Sequence, residues 1–175
     1  MYRTYFSAIA FFLGIQLSVP LAASTAPLTT VDHVDLSRYA GKWFEIARYP
    51  NRFQRKCESD TTATYTIRPD GKVQVVNSCR EKNGKITTAD GTAKVVDAKT
   101  NAKLKVTFFW PFSGAYHVIA LDRDGYNYAV VTSSSRDYLW ILTRQKHLDA
   151  AVQSDLVAKA KGWGFRTEDL IFVEH

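Results

Sequence analysis

The stretch that decides the fold is GKWFEIAR, at positions 41–48. Residues 35–40, just before it, predict a short helical turn that ends at Gly41. In a β-strand, successive side chains point to opposite faces, so Trp43, Glu45 and Ala47 would share one face. We predict that this first strand turns Trp43, Glu45 and Ala47 towards the interior of the protein.

Seven further strand-like runs follow the first at short intervals. Turn residues such as Pro69-Asp70-Gly71 and Asn83-Gly84 separate them. Such steady spacing is typical of an all-β sandwich or barrel. The eight predicted strands occupy residues 42–48, 59–67, 72–79, 87–96, 102–110, 115–121, 126–133 and 138–143.

The pattern changes after the eighth run. Leu148, Val152 and Leu156 have helical spacing, Gly162 predicts the end of that helix, and residues 170–173 predict one more short strand. One helix cannot cover the apolar face of eight strands, whereas closing the sheet on itself buries that face and removes its free edges. We therefore predict an all-β fold in one domain, 27–175. Its architecture is an eight-stranded antiparallel up-and-down β-barrel with one flanking C-terminal α-helix and a short ninth strand.

The inward side chains decide whether such a barrel is solid or hollow. Alanine, glycine and valine are frequent among them, whereas a barrel filled by its own side chains should carry more leucine, isoleucine and phenylalanine. We therefore predict a cup for one small ligand, with a solid core as the alternative. The predicted inward residues include Glu45, Ala63, Tyr65, Val75, Asn77, Ala93, Val106, Phe108, Tyr116, Val118, Ala120, Val131, Tyr138 and Trp140.

Residues 1–26 predict a signal peptide that is removed from the folded domain. Arg3 supplies a positive charge, residues 6–19 are apolar, and small residues at 22–26 offer a cleavage site. An uncleaved anchor is the alternative, but the apolar run is shorter than the roughly 20 residues of a membrane-spanning helix. Because no cysteine lies near the cleavage site, we expect an exported protein, periplasmic or secreted, that is not lipid-anchored.

The formal net charge is +6, and the basic residues are scattered among acidic ones. No block of five like charges occurs, and no RNA-recognition or zinc-finger pattern is present. These features argue against nucleic acid as a partner and allow at most peripheral contact with an anionic membrane surface. A hydrophobic small molecule is the expected partner, and the protein is expected to be a monomer or a homodimer.

Cys57 and Cys79 are the two cysteines of the chain. In an exported protein an even pair favours a disulfide bond. A reactive thiol is the alternative, and it would need a base nearby. A regular hairpin puts the two residues about three positions out of step, so a bulge or bend must bring them together.

Motifs of known catalytic and metal sites are absent from the sequence. The four histidines have no metal-ligand spacing, and there is no HExxH, CxxC, P-loop or GxSxG pattern. We therefore predict no catalytic residue, no metal site and no cofactor. The alternative is an enzyme that acts on a bound lipophile through a reactive group, such as a free Cys57 or a Tyr116 of low pKa.

Taken together, the motifs resemble those of the lipocalin family. GKWFEIAR at 41–48 is similar to the first lipocalin signature, G-x-W, and RDYLWILTR at 136–144 is similar to the later ones, in which an arginine follows the last strand. The resemblance covers about residues 31–174. It is strongest to the bacterial lipocalin (Blc-like) group, which is related to apolipoprotein D and to plant temperature-induced lipocalins.

This resemblance implies roles for particular residues. Gly41, Trp43 and Arg144 would form a structural signature, with Arg144 packed on Trp43 at the closed end of the barrel, and Phe53 would line the open mouth. The resemblance also implies binding and transport of a hydrophobic small molecule in the bacterial cell envelope. Fatty acids and lysophospholipids are the expected ligands.

Overall fold

The computed structural model describes residues 28–175, and the predicted signal peptide at 1–26 lies outside these residues. The described chain begins with a short helix and continues with eight long strands, one longer helix and a short last strand. The elements are α1 (Leu36–Tyr39), β1 (Gly41–Arg48), β2 (Cys57–Ile67), β3 (Val73–Glu81), β4 (Ile86–Val95), β5 (Lys103–Phe109), β6 (Phe112–Leu121), β7 (Tyr128–Thr132), β8 (Leu139–Thr143), α2 (Ala150–Gly162) and β9 (Ile171–Phe172).

The strands form a closed antiparallel barrel. Each of β2 to β7 pairs with the next strand along the chain, and β1 closes the ring because it pairs with both β8 and β2. The first half of β1 pairs with β2, and β9 pairs with its last two residues, Ala47 and Arg48. The predicted fold is confirmed: an eight-stranded up-and-down barrel with one C-terminal helix and a ninth strand.

The topology gives the barrel two different ends. The helix α1 precedes β1 and lies at one end, here called the closed end, together with the turns at 68–72, 96–102 and 122–127. The loops at 49–56, 82–85, 110–111 and 133–138 lie at the other, here called the open end. Trp43, near the start of β1, is fully buried.

Two β-bulges change which side chains point inward. A bulge in β1 between Glu45 and Ala47 shifts its register against β8, so Ile46 and Ala47 both pack outside the barrel wall, while Arg48 pairs with Glu45. The prediction that Ala47 faces inward is therefore wrong, because strict alternation fails at a bulge.

The second bulge lies in β6, between Val118 and Ala120. It places Leu121 in the inner apolar cluster and Ala120 against the outer one. The prediction that Ala120 faces inward is wrong for the same reason. The strand also starts earlier than predicted, at Phe112, because Phe112 pairs with Phe109 across a two-residue turn.

The apolar residues form two clusters, one on each side of the barrel wall. The inner cluster includes Trp43, Tyr65 and Val118. The outer cluster joins the wall to α2 and includes Ile141, Leu156 and Ala160. The side chain of Asp149 caps α2 by accepting hydrogen bonds from the backbone of Ala151 and Val152. One helix therefore covers the outward apolar residues of β7, β8 and β1, and the rest of the barrel buries its apolar face by closure.

Cys57 and Cys79 form a disulfide bond, with their Cα atoms 5.5 Å apart. The bulges that this pairing requires are present, since the register of β2 against β3 shifts between Cys57 and Ser59 and again between Ser59 and Thr62. Asp60, within the bulged segment, has a positive φ of 53°. The predicted disulfide is confirmed, and the bond joins β2 to β3 at the open end of the barrel.

Within residues 28–175, no helix is long and apolar enough to cross a membrane.

Candidate ligand-binding site

The closed end is built around Trp43. Its indole nitrogen donates to the backbone oxygen of Tyr39 at 2.8 Å, and the Arg144 guanidinium lies 3.9 Å from the ring centre. The same guanidinium donates to backbone oxygens of the α1 segment and of Lys42 at 2.6–3.2 Å. Burial lowers the pKa of Arg144. Gly41, beside this contact, has a φ of +96°, which glycine adopts without strain.

Three tyrosine hydroxyls meet inside the barrel above Trp43. The Tyr116 hydroxyl lies 2.7 Å from that of Tyr39 and 2.9 Å from that of Tyr65. Burial raises the pKa of Tyr65 to about 12 and the pKa values of Tyr39 and Tyr116 well above their usual range. These phenols are therefore neutral over the physiological pH range, and they give the apolar interior one uncharged polar cluster.

A buried polar network lies towards the open end. Arg48 forms an ion pair with Glu45 at 2.8 Å, and both side chains are about 5% exposed. Gln54 donates to the second carboxylate oxygen of Glu45 at 2.7 Å and accepts from the indole nitrogen of Trp140 at 3.0 Å. Burial raises the pKa of Glu45, and the contacts with Arg48 and Gln54 oppose that shift. These four residues are called the polar network below.

Phe53, predicted at the mouth, forms a stack at the open end with the predicted lining residues Tyr138 and Trp140. The rings of Tyr138 and Trp140 are nearly parallel, with centroids 5.6 Å apart, and Phe53 stacks on Tyr138 at 6.3 Å. The side chain of Asn51 fixes the loop that carries Phe53 by accepting from the backbone of Phe53 and Gln54. Phe53 is 63% exposed, so the stack runs from solvent into the barrel.

The other predicted lining residues face one another across neighbouring strands. The cross-strand pairs are Ala63 with Asn77, Tyr65 with Val75, Ala93 with Val106, and Val118 with Val131. Phe108 packs closely over Gly91, where an added Cβ would lie 2.8 Å from its ring. Gly91 thus leaves the space that the Phe108 ring occupies.

The cavity found among these residues has a volume of about 20 Å³. Its wall is apolar and includes Val34, Tyr65, Leu104 and Tyr116. A space of this size holds about one water molecule. The aromatic rings of Tyr39, Tyr65 and Tyr116 reach into the space that the small residues leave, so an acyl chain would have to displace side chains on entering.

The exposure of the inward residues rises towards the open end. On β5, Leu104 is buried whereas Val106 and Phe108 are partly exposed, and on β8, Leu142 is buried whereas Trp140 is partly exposed. On β6, Val118 is fully buried and Tyr116 partly exposed. The interior is therefore buried at the closed end and more exposed at the open end.

Three residues of this interior were missed by sequence reasoning. Strict alternation from Trp43 predicts an outward Arg48, and the bulge in β1 reverses that direction. Gln54 lies in a loop, where alternation makes no prediction, and Tyr39 was treated as part of a helical turn. A buried glutamate at position 45 was the available signal, because a buried carboxylate needs a cationic or hydrogen-bonding partner.

The two groups named for an enzymatic alternative lack the features predicted for them, a free thiol and a phenol of low pKa. Cys57 is bonded to Cys79, and the pKa of Tyr116 is raised by burial. Residues 28–175 hold no group of three or more histidine, cysteine or acidic side chains placed to bind a metal ion.

An up-and-down barrel sealed at one end by a short helix defines a class of proteins that hold a small molecule in an interior cup. A model of the lipocalin-like domain matches residues 34–175. The chain belongs to the lipocalin family.

The outer membrane lipoprotein Blc of Escherichia coli K12 is 42% identical over 171 residues, covering 96% of this chain and 93% of that protein. Temperature-induced lipocalin-1 of Arabidopsis thaliana is 40% identical over 79% of this chain and 77% of its own length. Among solved structures, insecticyanin of the tobacco hornworm Manduca sexta superposes with a TM-score of 0.68. It has 24% identity and covers 86% of this chain and 85% of its own, a likeness that concerns the fold.

These relatives correct the predicted localisation. The similar proteins of E. coli, Citrobacter freundii and Vibrio cholerae are all named outer membrane lipoproteins. The expectation of a protein without a lipid anchor is contradicted by those names. It depended on the absence of a cysteine near residues 22–26, and that negative observation does not outweigh relatives that match most of the chain.

Proposed function

We propose that this protein binds and transports one hydrophobic small molecule inside the barrel, with a fatty acid or a lysophospholipid as the ligand, in the bacterial cell envelope. The observation that carries the proposal is the graded exposure of the inward residues. An open mouth is supported by this gradient, because Trp43 below is fully buried whereas Tyr138 and Trp140 above are partly exposed.

The ligand enters by displacing aromatic side chains. Ligand pockets usually measure about 300–1,000 Å³, far more than the cavity of about 20 Å³ between the strands. Phe108 is partly exposed and lies on the side of the open end, so it is the ring that moves first. An acyl chain of about fifteen methylenes gains on the order of 12 kcal/mol gross at ~0.8 kcal/mol per methylene. Side-chain ordering and immobilisation of the ligand offset much of this gain.

The polar network positions the head group. It adjoins the aromatic stack, because Trp140 belongs to both, and it holds buried donors, including Arg48 and the Gln54 amide. The acyl chain then runs down towards Val75, Val106 and Val118, and ends above Trp43. The proposed contacts are Glu45, Phe53, Ala63, Tyr65, Val75, Asn77, Ala93, Val106, Phe108, Tyr116, Val118, Val131, Tyr138 and Trp140.

We also propose that the protein is a carrier and not an enzyme, and that its domain begins at residue 27 after a signal peptide at 1–26. The support for the first statement is chemical. The two reactive groups weighed for an enzyme are a disulfide sulfur and a phenol of raised pKa. The second statement is tested by the N-terminal sequence of the protein isolated from cells.

Native mass spectrometry of the purified protein, followed by extraction and identification of the released lipid, tests the proposed function. We expect a mass increment that disappears on denaturation and that corresponds to a fatty acid or lysophospholipid. A protein that emerges empty and also fails to bind a fluorescent fatty acid would contradict the proposal.

A glycine pair sharpens this test. In Gly91→Ala the new methyl group meets the Phe108 ring at 2.8 Å, so the ring must move into the cup, and we expect affinity for the fluorescent fatty acid to fall at least about fivefold. Gly114→Ala is the matched control, because nothing lies within 4 Å of its added Cβ. Equal affinities of the two variants would place the ligand elsewhere.

A further inference from the structure

The turn between β5 and β6 presents three aromatic side chains to solvent. Phe109 is 71% exposed, Trp110 is 88% exposed and Phe112 is 77% exposed. Phe109 and Phe112 face each other across the last rung of the hairpin, with Trp110 and Pro111 as its turn. These residues, here called the aromatic tip, are absent from the proposed ligand contacts. Large exposed apolar groups that cluster mark an interaction surface.

Charge is distributed unequally between the two ends of the barrel. The four loops at the open end contain six lysine and arginine residues and one acidic residue, Asp137. The three hairpin turns at the closed end contain four of each sign. The open-end cations include Arg52, Arg55, Lys56, Lys82 and Lys85, all of which are exposed. The end that carries the aromatic tip is therefore also the cationic end.

We propose that the open end docks on the surface of a bilayer that contains anionic lipids. In this arrangement the aromatic tip inserts at the boundary between head groups and acyl chains, where tryptophan and phenylalanine are favoured. The cations of the surrounding loops lie at the level of the lipid phosphates, within the range of the negative surface potential.

The charge of the open end also selects between possible occupants. A second copy of the chain seated on the aromatic tip would bring two cationic rims together, and their repulsion opposes such a dimer. A bilayer with anionic head groups supplies both the apolar layer that the tip needs and the opposite charge. The membrane surface is thus the occupant that matches both features.

Docking in this orientation turns the mouth of the cup towards the lipid. If the proposed function holds, a lipophilic ligand passes between the bilayer and the barrel without crossing bulk water. The docking itself requires no ligand in the cup, so it extends beyond the proposed function and is tested separately.

The experiment measures partitioning of the purified protein onto vesicles of phosphatidylethanolamine and phosphatidylglycerol, with pure phosphatidylcholine vesicles for comparison. Trp110→Ser with Phe112→Ser removes two residues of the tip. Val96→Ser is the matched control, because Val96 is 60% exposed and lies at the closed end. We expect the tip variant to partition at least about tenfold more weakly and the control to change less than about twofold.

A second pair of variants tests the charge. Lys82→Gln with Lys85→Gln lowers the charge of the open end, and Lys94→Gln with Lys99→Gln removes the same charge near the closed end. We expect the first pair to weaken partitioning by about tenfold and the second to have little effect, with the difference shrinking at high salt.

Brominated lipids report the orientation directly. They should quench the fluorescence of Trp110, which is the part of the signal that Trp110→Phe removes. The fluorescence of the fully buried Trp43 should be unaffected.

Unchanged partitioning of the tip variant would overturn the proposal, and so would equal effects of the two lysine pairs. Self-association in sedimentation velocity that the tip variant abolishes, without a change in vesicle partitioning, would assign the surface to a second copy instead. Binding of a fluorescent fatty acid in solution is measured in parallel, so that failure of docking and failure of the proposed function are told apart.

Discussion

Arg144 and Trp43 connect the end of the barrel sheet to its beginning. The guanidinium of Arg144, which follows β8, lies 3.9 Å from the ring centre of Trp43 in β1, and it donates to backbone oxygens of Arg38, Tyr39, Ala40 and Lys42. The oxygens of Arg38, Tyr39 and Ala40 lie at the end of the short helix α1 and lack partners within it, so one side chain satisfies the helix end and also covers the indole. The most recognisable residues of the sequence thus build the floor of the cup.

Replacement of Trp43 by alanine should lower the free energy of unfolding by at least about 3 kcal/mol, because it removes a fully buried large aromatic side chain. Urea unfolding measures the change. Effects on ligand affinity should be secondary, since the proposed ligand lies above this residue. A Trp43→Ala variant with near wild-type stability would contradict its role as the floor of the barrel.

Replacement of Arg144 by lysine should cost about 1–3 kcal/mol even though the charge is kept. A lysine ammonium cannot spread over the indole and reach the backbone oxygens on both sides as the planar guanidinium does. Arg123→Lys is the control, because Arg123 forms an exposed ion pair with Asp32 and such pairs contribute at most about 1 kcal/mol. Equal losses in the two variants would mean that the charge alone matters at position 144.

The polar network predicts a strong asymmetry between single and double substitutions. Arg48→Met leaves the Glu45 carboxylate buried without its cation, and we expect a loss of about 3–5 kcal/mol. Adding Glu45→Gln should restore part of that loss, because a neutral amide needs no counter-charge. A double variant less stable than Arg48→Met would contradict this account of the ion pair.

Glu45 also predicts a pH dependence of stability. Burial raises its pKa in the folded protein above the unfolded value. The contribution of Glu45 to the free energy of unfolding is therefore fully present below its pKa in the unfolded chain. It is lost as the pH rises through its raised pKa in the folded protein. The lowered pKa values of Asp60 and Asp122 act in the opposite sense, so the whole protein does not report Glu45 alone. The measurement is the difference in unfolding free energy between wild type and Glu45→Gln as a function of pH. Wild type should gain relative to the variant on acidification, and a flat difference would refute the assignment.

Much of the fold was predictable because the strands alternate and the turns between them are short. Eight runs, one helix and a small last strand leave few architectures, and closure follows from burial. The bulges in β1 and β6 could not be predicted, since an extra residue in a strand leaves no mark on the local hydrophobic pattern. Alternation therefore predicts the wrong face for Ala47 and Ala120 and does not predict a buried Arg48. The aromatic tip was also missed as a surface, because alternation placed Phe108 inward but gave no measure of how far the hairpin extends beyond it.

The disulfide between Cys57 and Cys79 should stabilise the barrel by roughly 3 kcal/mol, because it closes a segment of 22 residues and so restricts the unfolded chain. It joins β2 to β3 where bulges interrupt their pairing, so the bond holds the two strands together where regular pairing is lost. Replacing both cysteines by serine should lower the unfolding free energy by about this amount and should loosen β2 first, near Ser59 and Asp60. Hydrogen exchange of the β2 and β3 amides measures that local effect, with the β7 and β8 amides as the internal control.

Cys57→Ser alone should behave like the double variant in stability, since either substitution breaks the bond. A single variant that melts and binds ligand unchanged would refute the structural role of the disulfide.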